Sequence, residues 1–277
     1  MSPLSGSPNV LFAARVLAVG VPSPGFRRIV LGGPELSRFA PHGRDQRVKL
    51  LVPPDDGYPA SLTSGLPERE WRARLRELPA DTRPVLRSYT PAAVRPGRGE
   101  VDLDVFRHSR PGPASAWAAV ALPGDAVLLS GPDVRRGNPG HGVQWDPGPA
   151  TEVLITGDET ALPAVRGILA ALPPHHRGRV LVEVGDPADA VGLTDAHPGV
   201  TVEVCRRPGR PLLDAVADWA DAHGAAAARL GDQFYAWNAT ESTRVARVRT
   251  LLHEAGVAAD RVHAQGYWHD RPRPAAR

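Results

Sequence analysis

Three short stretches carry side chains whose types and spacing could do chemistry. Arg87-Ser88-Tyr89-Thr90 sets a cation, an aromatic ring and a hydroxyl at alternate or adjacent positions. On a strand such a set can hold an anion, stack on a flat ring and hydrogen-bond the edge of that ring. It is also an ordinary strand composition. Asp104-Val105-Phe106-Arg107-His108 leads through a loop to Gly112-Pro113-Ala114-Ser115, where proline and small residues open a helix. Backbone N–H groups left uncovered there suit a phosphate at the positive helix end, and equally suit a plain helix start. The third stretch is Gly157-Asp158-Glu159-Thr160-Ala161-Leu162-Pro163. It matches neither GxGxxG nor GxxxxGK[ST], and its two acids would repel a pyrophosphate unless they turn away to cap the helix. Capping and cofactor contact both remain open at this turn.

Several other chemistries drop out. One cysteine, Cys205, excludes an internal disulfide, a CxxC redox pair and a thiolate-bound iron–sulfur cluster, so electrons handled by this chain must travel on an organic cofactor. His175-His176 has no third ligand at useful spacing, so no metal site is expected. There is no GxSxG and no recognisable Ser–His–Asp set. An aromatic content of 5% and a net charge of +3 lack the aromatic–basic interleaving that nucleic acid requires. The 33 basic residues comprise 32 arginines and Lys49 alone, which reads as compositional bias rather than a partner's footprint. No apolar stretch reaches the roughly 18 residues of a membrane span, and Met1 to Val10 has no secretory pattern. The expectation is a cytoplasmic monomer without stable membrane insertion.

The elements that must position these residues change character midway along the 277 residues. The first half reads as short strands separated by turns: residues 10–19, 27–31, 48–52, 101–106 and 126–129, with helices over 68–78 and 114–121. That pattern fits an antiparallel β-barrel. Residues 135–150 hold four glycines and three prolines and read as a linker. Beyond it, strands at 152–156, 179–184, 200–205 and 233–237 alternate with helices at 161–172, 212–223 and 242–254. This is the rhythm of an α/β doubly wound parallel sheet. The expected domains are therefore 1–134 and 151–277, joined by 135–150.

Seven motifs in order then resemble one family. Arg87-Ser-Tyr-Thr90, Asp104-Val-Phe-Arg-His108, Gly112-Pro-Ala-Ser-Ala-Trp-Ala118, Gly124-Asp125 with Gly131-Pro132, Gly157 to Ala164, Tyr235-Ala-Trp237 with Glu241, and Gly266-Tyr-Trp268 are similar to those of siderophore-interacting proteins. The resemblance runs from about residue 10 to 268. It implies a ferredoxin-reductase-like flavoenzyme with an FAD barrel followed by an NAD(P)H domain, using NADH or NADPH to reduce a ferric siderophore and release Fe(II). In that reading Arg87 meets FAD phosphate, Tyr89 stacks on the isoalloxazine and Thr90 bonds near its reactive edge. Phe106, Arg107 and His108 line the flavin, and Gly112, Pro113, Ala114 and Ser115 cradle the pyrophosphate. Gly157, Asp158, Glu159, Thr160 and Ala161 meet the nicotinamide nucleotide. Arg206 or Arg207 contacts its ribose phosphate, and Trp237 and Glu241 border that cleft. His269, Arg271 and Arg273 are the candidates for the anionic siderophore. No catalytic side chain is required, because the flavin carries the chemistry. The chain departs from the family at Ala92, in the Asp104-Val-Phe order, in Asn238-Ala-Thr-Glu241 and at His269-Asp270. The same residues admit a flavoprotein reductase for a free flavin, a quinone or a partner oxygenase, or a siderophore-binding accessory protein without turnover.

Overall fold

The computed structural model describes residues 6–137 and 140–270. The chain divides into two units between Val143 and Gln144. In the first, β1 (Asn9–Gly20), β2 (Phe26–Gly32), β3 (Val48–Val52), β4 (Val85–Tyr89), β5 (Pro91–Arg95), β6 (Glu100–Phe106) and β7 (Ala126–Pro132) join in one antiparallel sheet. Its order is β4-β3-β7-β1-β2-β6-β5. Laid flat, the two edge strands would stand about 29 Å apart at about 4.8 Å per strand. Only Thr90 separates β4 from β5, and one residue spans about 3.5 Å. The sheet therefore curls until its edges meet at Thr90, giving the half-barrel of the first unit.

Period-two alternation sorts the residues of this sheet. Val101, Leu103 and Val105 of β6 join Phe12, Leu31, Val48, Leu50 and Leu129 in the inner cluster. Asp102 and Asp104 face the other way, where arginines of adjacent strands answer them. Arg28 donates Nε and Nη2 to Asp104 at 2.7 and 2.8 Å, and Arg95 pairs with Asp102 and Glu100. Two helices cover the barrel. In α1 (Glu68–Glu77), Trp71 and Leu75 lie one turn apart and are buried with Leu11, Leu51 and Leu128. In α2 (Pro113–Val120), Ala114 and Ala118 complete the inner cluster, and Trp117 and Tyr89 pack against it.

The second unit contains β8 (Glu152–Asp158), α3 (Leu162–Ala171), β9 (Arg177–Val184), β10 (Val200–Arg206), α4 (Leu212–Leu230), β11 (Phe234–Glu241), α5 (Ser242–Glu254) and β12 (Val262–Trp268). Every ladder is parallel and the order is β10-β9-β8-β11-β12. Within the unit that is strand order 3-2-1-4-5, the doubly wound arrangement, with its topological switch between β8 and β11. Leu212, Val216 and Trp219 of α4 and Val248 and Leu252 of α5 form a core with Leu154, Leu181, Cys205 and Phe234. On α3, Val165, Ile168 and Leu169 are buried outside that core. Composition marks 135–150 as loop, yet Trp145 is only 6% exposed and packs edge-on against Tyr235 at 5.3 Å. Arg261 clamps the same segment by donating to the Pro147 carbonyl at 2.9 Å. Among the described residues no helix is long and apolar enough to cross a membrane, and no group of three His, Cys, Asp or Glu could hold a metal.

Candidate functional site

The first unit presents a set of donors around β4 and α2. Tyr89 and Arg87 sit opposite Val48 and Leu50 in the β3–β4 ladder and so share their face of the sheet. Tyr89 is half-buried against the inner cluster, and burial pushes its phenol up to about 12, so the ring is neutral across the working range. Arg87 is exposed; its Nη1 reaches only the Leu86 carbonyl, and it forms no ion pair among the described residues. Thr90 is buried at the meeting of the two sheet edges. Phe106 packs on Phe26 and is touched edge-on by His108 at 4.9 Å. Arg107 is exposed beside them.

Helix α2 starts without a side-chain cap. Gly112 is its extended N-cap residue, Pro113 occupies the first turn, and the first backbone bond closes from Ala116 N–H to the Gly112 carbonyl. The Ser115 hydroxyl is turned back to the Phe106 carbonyl at 3.1 Å. Nothing lies within 4 Å of where a Cβ on Gly112 would stand. The amides of Ala114 and Ser115 thus have no side-chain cap at the positive end of the helix, and the space beside Gly112 is open. A flat neutral ring, an unpaired guanidinium and uncapped amides form a donor set for an anionic group joined to a planar one.

The carboxyl end of the second sheet is built from acids, and the acids are used internally. Asp158 is 1% exposed. Its Oδ1 accepts the Thr160 N–H at 3.0 Å and hydroxyl at 2.5 Å. Its Oδ2 accepts the Thr240 hydroxyl at 2.6 Å and the Trp268 indole N–H at 2.8 Å. One carboxylate therefore ties together the ends of β8, β11 and β12. Glu159, also buried, accepts the Gly185 N–H at 2.7 Å and pairs with Arg207. Arg207 donates onward to Glu183 at 2.7 Å, and Glu183 takes Arg244 and the Leu212 N–H at the start of α4. Burial pushes the Glu183 carboxyl up, but Arg244, the Leu212 N–H and Arg207 outweigh it and hold the group below its ordinary range. Glu241 behaves alike: burial raises it, and bonds from Thr243 and the Arg244 N–H bring it below the usual value while it caps α5.

At the Gly157–Ala161 turn both carboxylates have partners within the protein. Asp158 caps the 3-10 turn Glu159–Ala161 and Glu159 clamps Arg207. Gly157 keeps the turn tight: a Cβ there would stand 2.7 Å from the Ala161 Cβ and 3.0 Å from the Ala239 carbonyl oxygen. Of the arginine pair, Arg207 is engaged by two carboxylates whereas Arg206 is exposed and makes no ion pair among the described residues. Trp237 is fully buried, stacked on His263 and edge-on to Tyr267, so it supports the site from beneath. His269 is exposed, with Nε2 3.3 Å from the Ser242 hydroxyl; Arg271 and Arg273 lie outside the described residues. Sequence reasoning named Trp268 only as part of a motif. Its bond to Asp158 crosses 110 positions and leaves no local signal. Lys49, which stands out in the sequence only as the single lysine, donates to Ser88 at 2.5 Å across the β3–β4 ladder, and burial with nearby Arg47 and Arg72 brings its ammonium down to about 8.

Comparison with known proteins bears on both units. The family model for the siderophore-interacting FAD-binding domain matches residues 15–136, and that for siderophore-interacting protein matches 150–271. An uncharacterised protein of Mycobacterium tuberculosis is 34% identical over 212 residues, covering 76% of this chain and 69% of its own. Ferric vibriobactin reductase ViuB of Vibrio cholerae is 27% identical over 245 residues, 87% of this chain and 83% of ViuB. Among solved structures, the siderophore-interacting protein SipS from Aeromonas hydrophila superposes with a TM-score of 0.69 at 26% identity, covering 94% of this chain and 99% of SipS. The fold recurs in the Amycolatopsis cytochrome P450 reductase GcoB at 19% identity and a TM-score of 0.59, over 93% of this chain and 70% of GcoB. With an antiparallel FAD-binding unit and a parallel α/β unit in a ferredoxin-reductase-like flavoprotein fold, the chain belongs to the siderophore-interacting protein family.

Proposed function

We propose that the protein is a reductase that moves electrons from NADH or NADPH through FAD to the iron of a ferric siderophore, releasing Fe(II). The observation that carries this reading is the donor set of the first unit, in which unpaired Arg87, neutral Tyr89 and the uncapped start of α2 fit a dinucleotide with a flat ring. The ferric vibriobactin reductase among its relatives agrees with it. FAD held there would supply the redox chemistry, two-electron uptake from a nicotinamide and one-electron delivery to chelated iron.

The chain's own residues bind and orient. Arg87 meets a phosphate oxygen with a charge-assisted bond, and the Ala114 and Ser115 amides hold the pyrophosphate at the helix end. Tyr89 offers its ring face and Thr90 its hydroxyl near the isoalloxazine edge, while Phe106, Arg107 and His108 flank the ring. In the second unit the nucleotide lies outside the carboxyl ends of β8 and β11, the rule for open α/β sheets. Its contacts there come from the backbone of residues 157–161. Asp158, Glu159 and Glu241 are positioning residues acting through Trp268, Arg207 and α5. Arg206 is the cation left for a ribose phosphate, which favours NADPH. His269, with Arg271 and Arg273, supplies positive charge for an anionic chelate. The protein works as a cytoplasmic monomer, where reduced nicotinamide nucleotides are available.

The test is nucleotide oxidation by the FAD-loaded protein, with ferric hydroxamate and catecholate chelates compared with quinone and free flavin as acceptors. Fe(II) is trapped by a chromogenic chelator. The expected outcome is Fe(II) formed at two per nucleotide and a rate with at least one ferric chelate exceeding that with the other acceptors. Faster turnover with quinone or free flavin, with no trapped Fe(II), would refute the siderophore assignment.

A further inference from the structure

At the amino ends of the second sheet, on the edge opposite the switch point, lies a cavity of about 320 Å³. That is at the small end of the range for small-molecule sites. Glu152 and Phe234 are the first residues of β8 and β11, and Thr201 is the second residue of β10. All three line the cavity, which α4 closes with Trp219, His223 and Ala226. The seven residues of β8 put this cavity about 20 Å from Asp158, at about 3.3 Å per residue. It is thus a different place from the nucleotide end of the unit.

Its lining is mostly apolar and aromatic. Trp219 stacks on Phe234 at 5.8 Å between centroids, and His223 tilts against Trp219 at 5.9 Å. The two charged groups on the walls differ in one respect. Arg179 is answered by Glu203 at 3.9 Å. Glu152 is half-buried and has neither a hydrogen bond nor an ion pair to its carboxylate among the described residues. Burial raises its pKa even though Arg177 works against it. A half-buried carboxylate that no donor touches, relieved only by the charge of Arg177 across the β8–β9 ladder, still gains from an opposite charge placed against it beside this concave aromatic wall. Aromatic faces also attract cations.

We propose that this cavity is a binding site for a small planar organic cation, an aromatic amidine, guanidine or protonated amine. Its charge meets Glu152 and its apolar body lies along Val153, Trp219 and Phe234. The ligand and the site are independent of flavin and nucleotide, so the proposal stands or falls apart from the reductase reading.

The experiment uses the FAD-loaded full chain and three probes of one shape: benzamidine, neutral benzamide and anionic benzoate. Binding is read by titration calorimetry and by ligand-observed magnetic resonance. The expected result is saturable binding of benzamidine, at least tenfold tighter than of benzamide and with benzoate not bound. Glu152→Gln should weaken benzamidine at least tenfold and leave benzamide unchanged, and the flavin spectrum should not move in either case. Ala226→Phe, which fills the mouth from an exposed helix position, should abolish binding of both and serves if Glu152→Gln does not fold. Benzoate binding as well as benzamidine, benzamidine binding unchanged in both variants, or no saturable binding at all would each overturn the proposal.

Discussion

At β4 and the start of α2 the first unit leaves its charges and amides facing outward. At the carboxyl end of its sheet the second unit turns nearly all of its charges on itself. Arg87 is held only by the Leu86 carbonyl, and the amides of Ala114 and Ser115 have no side-chain cap. Asp158, Glu159, Glu183 and Glu241 are each saturated by hydroxyls, backbone N–H groups, an indole or arginines. The contrast separates two uses of a polar residue. Exposed donors on a rigid strand or helix end are available to an anionic ligand, whereas buried acids satisfied from several elements fix the shape that the ligand meets.

The strongest way to break that distinction is Glu183→Ala. It strands Arg244, leaves Arg207 to Glu159 alone and removes the N–H acceptor at the start of α4, so the second unit should lose about 3–5 kcal/mol in urea unfolding. If Glu183 were instead a ligand-facing group, stability would hardly move and the KM for nucleotide would rise. The pH dependence has a definite sign. A carboxyl held below its unfolded value stabilises fully above about pH 4.5 and loses that contribution as pH falls through the lower folded value. Wild type should therefore lose stability on acidification below about pH 4.5, and Glu183→Gln, weaker at neutral pH, should lose less over the same window.

Next in size is Arg87→Ala. Losing one charge-assisted bond worth about 1.5–3 kcal/mol should weaken FAD about ten- to a hundredfold in equilibrium titration, with unfolding nearly unchanged because Arg87 is exposed. A large drop in stability without a change in FAD affinity would reverse the roles assigned to the two units. Arg206→Ser sharpens the comparison inside the second unit. KM for NADPH should rise about tenfold, as for one lost ion contact, and KM for NADH should stay constant. The smallest effect is expected for Trp237→Phe, which keeps a buried ring and should cost about 1–2 kcal/mol of stability by thermal denaturation without changing nucleotide preference.

How much of this was legible in the sequence depends on the range of the interaction. Val101 to Phe106 alternates strictly, and the structure puts its odd positions in the core and its acids on the other face. Helix α5 begins and ends where residues 242–254 were read, because Glu241 caps it locally. Strand β5 was not read. It starts at Pro91, pairs only with β6, and is defined by the curl of the sheet rather than by its own pattern. Strand β12 was seen as a motif only, since Val262–Trp268 is half-buried along most of its length and shows little alternation. Helix α4 extends to Leu230, well past His223, since Ala225 to Ala228 favour helix and the stop comes only at Gly231. At the site, Arg87 and Tyr89 were visible because two alternate residues on a strand must share a face. Which of Arg206 and Arg207 stays free, and what Asp158 holds, depended on partners between 48 and 110 positions away.

The most direct measurement of the central claim is anaerobic stopped-flow of the FAD-loaded protein. Mixing with NADPH or NADH should bleach the flavin absorbance. A second mix with a ferric hydroxamate or catecholate chelate should restore it, with two Fe(II) trapped per flavin. A flavin that neither nucleotide bleaches, or one that is bleached but not reoxidised by any ferric chelate, would contradict the account.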